Sequence, residues 1–332
     1  MSYKISVIVP VYNTEKYITK CLCSLLEQSF NDYEIIIVND ASPDNCTNIV
    51  NSLLLKYPHK KEIVTIYTHE YNRGIATTRN TGLEHAQGEY LIYIDSDDYV
   101  ESDMLEKMYN KANIEKADIV VADYFDTFEN KERYVYQRIP PSKEECIKWL
   151  LTGQLHGSNS NKLVRHKLYT DNKLRYCSDL DMYEDLIMSI ELFYYSTKIK
   201  YVNKAFLHYV QYNSNSYTKK ITQKSISDIV NACKVIERFL SEKHIINKHK
   251  ETWMYFLIKN KVKILLNTDK QQYKTYLDLF PETNNFILKC PLIPFYYKMG
   301  LWCSIHHFQL ILNFLLSLKK IKKKYGFCNN VG

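Results

Sequence analysis

No G-x-G-x-x-G follows the first apolar run of this 332-residue chain, and no G-x-x-x-x-G-K-[ST] occurs anywhere in it. Neither a dinucleotide cofactor on a glycine turn nor a P-loop nucleotide is therefore indicated. Glycine is scarce, eight residues in all. The amino terminus has no basic stretch leading into an apolar one and enters a strand-like run within five residues, so no secretory signal is read and the protein is expected in the cytosol. Cysteines number nine, an odd count scattered from Cys21 to Cys328 without paired C-x-x-C sets. That pattern speaks against a disulfide framework and against a zinc site, leaving free thiols. No internal repeat and no low-complexity linker interrupts the chain.

What is present is an ordinary globular composition, 45% hydrophobic and 24% charged, which gives no reason to expect extended disorder. Tyrosine is abundant, at 29 residues, and compositional bias is a simpler account of it than sugar stacking. The net charge of +7 is concentrated at the end, where Lys319, Lys320, Lys322, Lys323 and Lys324 follow an apolar stretch. This placement suits one surface and not a nucleic acid running along the whole protein.

Residues 1–123 alternate short β-branched runs with amphipathic segments, which predicts an α/β fold with a doubly wound, mainly parallel sheet. Strands are expected at Ile5–Val9, stopped by Pro10, then Glu34–Val38, Ile63–Tyr67, Tyr90–Ile94 and Asp118–Ala122. The first helix starts at Asn13 or Thr14, with Tyr17, Ile18, Cys21, Leu22, Leu25 and Leu26 on one face. Ser42 and Pro43 are read as the cap and first residue of the second helix. Further helices are expected over about 75–86 and 101–116. Residues 124–218 are mixed, with strands near 199–202 and 207–211, and from Ser225 the pattern is mainly helical. In a doubly wound sheet ligands bind at the carboxyl ends of the strands, and there fall Asn13, Asp40, Arg73 with Gly74, and Asp95 with Asp97.

These clusters have distinct chemistry. Pro10, Val11, Tyr12 and Asn13 form a rigid, aromatic loop fit to hold a planar base, and Asp40 is able to accept a hydrogen bond from the imide N–H of uracil. Asp95-x-Asp97 at a strand end offers two carboxylates to one task. Hard oxygen ligands select Mg²⁺ or Mn²⁺, which neutralises a diphosphate leaving group. An isolated D-x-D is more simply a turn with helix-capping aspartates. Likewise Glu184 and Asp185, alone, are first-turn acids complementing a helix dipole.

Four segments in register outweigh those simpler readings: SVIVPVYN (6–13), VNDASPDN (38–45), NRGIATTRNTGLEHAQGEYLIYIDSDD (72–98) and YEDLIMSIELF (183–193). Their order and spacing resemble the family 2 inverting glycosyltransferases, over about residues 4–218. The resemblance implies a GT-A fold, with residues 1–123 as its nucleotide-sugar half, 124–218 as its acceptor half and 219–332 as a C-terminal helical region. It implies Pro10, Tyr12, Asn13 and Asp40 around a uridine, Arg73 and Arg79 near base and phosphates, Asp95 on the ribose side, and Asp97 as ligand of Mg²⁺ or Mn²⁺. Asp185 is the implied general base, with Glu184 and Lys162 on the acceptor side. The family's D-D-G-S appears here as Asn39-Asp40-Ala41-Ser42, and Asn39 is read as tolerated variation. Met188 stands where the family often has an aromatic residue, and Tyr212 where it has a basic one.

The activity so implied is transfer of a sugar from a UDP-sugar to a glycan or lipid-linked glycan acceptor of the cell surface. A catalytically inactive homologue acting as a scaffold, or a sugar-phosphate nucleotidyltransferase, are the alternatives. The second lacks the glycine-rich basic loop it requires after the first strand. Leu301–Leu318, interrupted by His306 and His307 and followed by the lysine run, is a poor spanning helix. Two readings of it stand side by side: an amphipathic helix on an anionic membrane at the inner face, and a packed helix with a solvated tail.

Overall fold

The computed structural model describes residues 3–213, 221–268 and 272–306. The chain divides into two units, residues 1–220 with 230–232 and residues 221–229 with 233–332.

In the first unit the elements follow as β1 (Ile5–Val11), α1 (Ile18–Leu26), β2 (Tyr33–Asn39), α2 (Cys46–Lys56), β3 (Val64–Thr68), α3 (Ile75–His85), β4 (Tyr90–Tyr93), β5 (Tyr99–Val100), α4 (Met104–Glu115), β6 (Ile119–Phe128), β7 (Lys131–Val135), α5 (Lys143–Thr152), β8 (Lys162–Arg165), α6 (His166–Asp171), α7 (Glu184–Tyr195) and β9 (Ile199–Val210). Nine strands form one sheet in the order β3-β2-β1-β4-β8-β6-β9-β5, with β7 paired to β6. The four strands β3, β2, β1 and β4 are parallel. β8 runs antiparallel to both β4 and β6, so β6 points the same way as β1 and β4. The carboxyl ends of all these parallel strands therefore share one edge.

β1 and β2 are buried along their whole length, as strands covered by helices on both faces must be. α1 supplies Ile18, Cys21, Leu22, Leu25 and Leu26 to the core, the stripe read from its sequence. Three departures from the expected elements have physical reasons. β1 runs through Pro10 to Val11, because its pairing with β4 already ends at Ile8 and Tyr93, so the missing N–H of Pro10 leaves no gap there. α2 starts at Cys46 and not after Ser42, because the Ser42 hydroxyl accepts from the Asn13 N–H (2.7 Å) and donates to Asp44 (2.6 Å) instead of capping a helix. The two strands expected near 199–202 and 207–211 are one strand, β9. A register shift opposite Ala122–Asp123 carries β9 past the polar pair Asn203–Lys204. β6 crosses residue 123 without a break, so the two expected halves share a sheet.

The second unit contains α8 (Gln223–Glu242), α9 (Lys250–Leu266), α10 (Tyr273–Leu277) and α11 (Phe295–Ile305). Thr222 and Ser225 close a reciprocal capping box on α8. Ile258, Val262 and Leu265 of α9 pack with Ile287, Cys290, Ile293 and Leu301. Among the described residues no helix is long and apolar enough to cross a membrane. Of the apolar stretch 301–318, residues 301–305 lie in α11; residues 307–318 and the lysine run lie outside the described residues.

Candidate active site

The loops after β1 and β2 are held by one another. Asn13 adopts φ 55°, a left-handed conformation that Asn tolerates better than most residues, and its N–H reaches Ser42. Ser42 is fixed in turn by Asn39, whose side-chain oxygen accepts the Ser42 N–H (2.9 Å) while its amide nitrogen donates to Thr47 (2.9 Å). Asn39 is thus a structural clamp of the loop and not idle variation. The ring of Tyr12 beside it is 47% exposed. Pro10 is buried in β1, and Arg73 lies exposed at the start of the α3 loop.

Asp40 is buried, with donors on both oxygens. Oδ1 meets His69 Nδ1 (2.7 Å) and the N–H of Arg73 (2.8 Å), and Oδ2 accepts the N–H of Gly74 (2.9 Å). Of the roughly four lone-pair positions of a carboxylate, three are engaged within the protein. Asp40 thus organises the 69–74 loop.

The acidic cluster after β4 separates into distinct environments. Asp95 accepts from Arg79 Nη2 (2.9 Å) and stays part exposed. Ser96 is buried against the Thr14 hydroxyl (2.9 Å). Asp97, half-buried, accepts from the Asn213 amide at 2.8 Å. Asp98 is only 1% exposed; Oδ1 accepts the Val210 N–H (2.8 Å) and Oδ2 has no partner. Burial, then the charges of Asp97 and Asp95, push the Asp98 carboxyl well above the usual range.

Helix α3 carries the second half of the N-R-G-I-A-T-T-R-N motif and has an unanticipated role. Arg79, 4% exposed, donates through Nη1 to Glu184 and through Nη2 to Asp95. Asn80 pairs with the backbone of Tyr176 in both directions, Nδ2 to the carbonyl and the Tyr176 N–H to Oδ1, each at 2.8 Å. Arg79 was expected near the base and phosphates. In the structure two of its nitrogens donate to protein carboxylates, and it joins the acidic cluster to the Glu184–Asp185 pair.

At the start of α7, Glu184 is buried against Arg79, and Asp185 is half-buried, accepting the Leu186 N–H on Oδ1 (2.7 Å). Burial, then the charge of Asp185, push the Glu184 carboxyl up to about 8, against the pull of Arg79. Lys162 is 1% exposed, and its ammonium donates to the His156 carbonyl (2.7 Å), the Ser158 carbonyl and Asn161 Oδ1 (2.9 Å). An ammonium has three donors and all three are used within the protein. The Glu184 carboxyl likewise turns inward, to Arg79.

The side chain of His156, whose carbonyl Lys162 meets, belongs to a trio of rings: Tyr124 to His156 at 4.8 Å, His156 to Tyr209 at 5.5 Å, and Tyr124 to Tyr209 at 6.4 Å. The Tyr209 phenol is pushed up by burial, then by the charges of Asp98, Asp95, Asp185 and Asp97. Burial, then the charge of Lys162, push the His156 imidazole down to about 4. Sequence reasoning missed Asn80, His156, Tyr209 and Asn213; the partners of Asn80 and Asn213 lie 96 and 116 residues away along the chain.

Among the described residues no group of three or more His, Cys, Asp and Glu side chains forms an all-protein metal cage. The cluster nonetheless fits a hard divalent cation of the Mg²⁺ type, which needs one or two carboxylates and completes its shell with water and phosphate oxygens. Asp97 would supply one carboxylate, and the crowding of Asp95 and Asp97 around the buried Asp98, whose Oδ2 has no partner, leaves negative charge there for a cation to offset.

A mainly parallel sheet with an antiparallel insertion, an acidic turn at the carboxyl end of a central strand and a second acidic pair beside it together define the GT-A class of α/β proteins. The chain belongs to glycosyl transferase family 2, whose sequence model matches residues 6–172. The relative named "Putative glycosyltransferase EpsH", from Bacillus subtilis (strain 168), is 30% identical over 272 residues, covering 79% of this chain and 76% of that protein. Among solved structures, S. aureus TarS 1-349 in complex with UDP-GlcNAc superposes with a TM-score of 0.65 at 20% identity, over 97% of this chain and 92% of the other. The mannosyltransferase PcManGT from Pyrobaculum calidifontis, in complex with GDP-Man and Mn²⁺, gives 0.55 at 14% identity over 99% and 89%. At these identities both structures speak for the fold.

Proposed function

We propose that this glycosyltransferase transfers a sugar from a UDP-sugar to an acceptor hydroxyl with inversion, Asp185 acting as general base. The observation that carries the reading is the Arg79 bridge, which brings Glu184–Asp185 beside Asp95 and the rest of the acidic cluster. Tyr12 stacks on the uracil with Pro10 and Asn13 beside it, and the remaining capacity of Asp40 meets the imide N–H. Arg73, exposed at the loop tip, serves the phosphates, and Asp95 the ribose. Asp97 holds Mg²⁺ or Mn²⁺, which when bound offsets the charge of the departing diphosphate. Asp185 takes the proton of the acceptor hydroxyl as it attacks the anomeric carbon from the face opposite the nucleotide. One displacement inverts that carbon without a covalent intermediate.

In this reading residues 1–123 hold the donor and 124–218 the acceptor, a cell-surface glycan or one carried on a lipid. Residues 219–332 form a helical region whose basic end meets an anionic membrane at the cytoplasmic face, in a protein that acts there with no nucleic acid partner. UDP-sugar chemistry is supported by the UDP-GlcNAc complex of TarS, and a divalent cation by the Mn²⁺ of PcManGT. The decisive test is a screen of UDP-glucose, UDP-galactose, UDP-GlcNAc, UDP-GalNAc and GDP-mannose for Mn²⁺-dependent hydrolysis and thermal stabilisation. Stabilisation by a UDP-sugar that Asp97→Ala abolishes supports it; preference for GDP-mannose, or binding indifferent to metal and to Asp97, overturns the donor assignment.

A further inference from the structure

The segment that carries Glu184 and Asp185 hangs on helix α3 at three points. Two have been described: Asn80 holds the backbone of Tyr176, and Arg79 holds Glu184. The third is Asp181, four residues before Asp185, whose Oδ1 accepts the N–H of Ile75, the first residue of α3 (3.2 Å).

This contact completes a pattern at the start of α3. Three successive backbone N–H groups, of Arg73, Gly74 and Ile75, have no partner within the helix. Asp40 takes the first two and Asp181 the third. One turn of backbone is therefore shared between a carboxylate from the nucleotide side, at the end of β2, and a carboxylate from the base-bearing segment. Both are suited to it, since negative charge is favoured at a helix N-terminus. Gly74 is what lets them meet. It sits at φ 84°, and a Cβ there would fall 2.5 Å from Asp181 Oδ1. The glycine of the N-R-G motif thus leaves room for the aspartate of the other segment.

We propose that Asp181 is a positioning residue for the transfer reaction: it registers the 176–185 segment against the loop that holds the nucleotide, and so sets the distance between the Asp185 carboxylate and the donor's anomeric carbon. The proposal rests on the donor and base assignments above. Asp181 touches no reacting atom. Its effect is expected on the rate of the chemical step, because a displacement of about 1 Å in a catalytic group costs roughly 100-fold in rate. The nucleotide loop keeps its own anchor, Asp40, and donor binding is expected to survive the loss of Asp181.

The test uses the full chain, the UDP-sugar found by hydrolysis screening, and titration of UDP in Mn²⁺. Asp181→Ala is expected to lower kcat roughly 10- to 100-fold, with the Kd for UDP and the KM for the donor within about twofold of the parent. Asp181→Asn keeps an oxygen acceptor for the Ile75 N–H and is expected to retain kcat within about threefold. A merely structural role would lower the folded fraction of both variants and leave kcat per folded molecule unchanged, which overturns the proposal. So does a loss confined to UDP affinity, or an Asp181→Asn variant as impaired as Asp181→Ala. Because Gly74→Ala intrudes on Asp181, its effect should be smaller in the Asp181→Ala background than in the parent; full additivity also overturns the proposal. If the donor and base readings themselves are wrong, the sign is different: Asp185→Asn turns over normally, or no UDP-sugar is hydrolysed by the parent.

Discussion

The two sides of the site that we assign to the nucleotide and to the base are built in opposite ways. On the proposed nucleotide side, loops present exposed side chains, Tyr12 and Arg73, on a backbone clamped by short-range contacts such as Asn39 to Ser42. Around the base, charged groups are buried and paired through contacts spanning about a hundred residues: Arg79 with Glu184, Asn80 with Tyr176, Asp181 with Ile75. A binding surface has to stay open to a ligand that comes and goes. A proton acceptor has to be held within a fraction of an ångström of its target, and burial with satisfied polar partners gives that rigidity.

This contrast is sharpest at Asp185. Asp185→Asn is expected to lower turnover by about 10²- to 10⁴-fold while UDP affinity, read by calorimetry, stays unchanged. Near-normal turnover would remove the base from this side of the comparison. Arg79→Met strands a carboxylate on each side of a buried position, at a cost of about 3–5 kcal/mol in stability with activity lost as well. Arg79→Lys cannot reproduce the two-pronged contact and should recover only part of either. Lys162→Met leaves the His156 and Ser158 carbonyls and Asn161 Oδ1 without a donor, and should cost about 3 kcal/mol in urea unfolding with little change in UDP affinity. A large loss of UDP affinity would instead assign Lys162 to the ligand.

Two smaller effects probe each side separately. Tyr12→Ala should weaken UDP binding by about 1–3 kcal/mol through lost stacking, and leave Tm unchanged because the ring is already exposed. On the base side, the His156 imidazole titrates near 4 in the folded protein, below its ordinary value of 6.5. Between those values the unfolded chain binds the proton and the folded one does not, so stability should fall as pH drops from 6.5 to 4, by at most about 1.4 kcal/mol per pH unit. His156→Asn should flatten that part of the stability profile.

Local periodicity made the parallel strands and their helices legible, and the motifs marked which residues lie at the shared edge. The sequence said less about which way those residues face. A lysine does not read as a core residue, so Lys162 seemed available to a substrate; only three carbonyl-type acceptors gathered by the 156–161 loop explain its burial. Arginine beside aspartate motifs reads as a phosphate ligand, and Glu184, the partner that the sequence did not suggest for Arg79, lies 105 residues on. Asn203 and Lys204 interrupt the apolar run of β9 and split it into two apparent strands, since a bulge has no compositional mark. Ser42 fits a helix cap by type, and its hydroxyl is recruited by Asn13 instead.

The hanging of the base segment on α3 also bears on how the chain is made. Synthesis runs from the amino end, and domains tend to settle as their residues emerge. The parallel strands β1 to β4 and helix α3 are complete long before residue 184 appears, and until then Arg79 lacks Glu184 and Asn80 lacks the Tyr176 backbone. The growing chain would have to bury a guanidinium with half its partners missing, which favours keeping α3 loosely docked. Arg79, Asn80 and Asp98 can all find these partners only once residues 176–210 have arrived. An interrupted polypeptide would hold the loops after β1 and β2 without the fixed Glu184–Asp185 pair, so the full site would assemble only on a nearly finished unit.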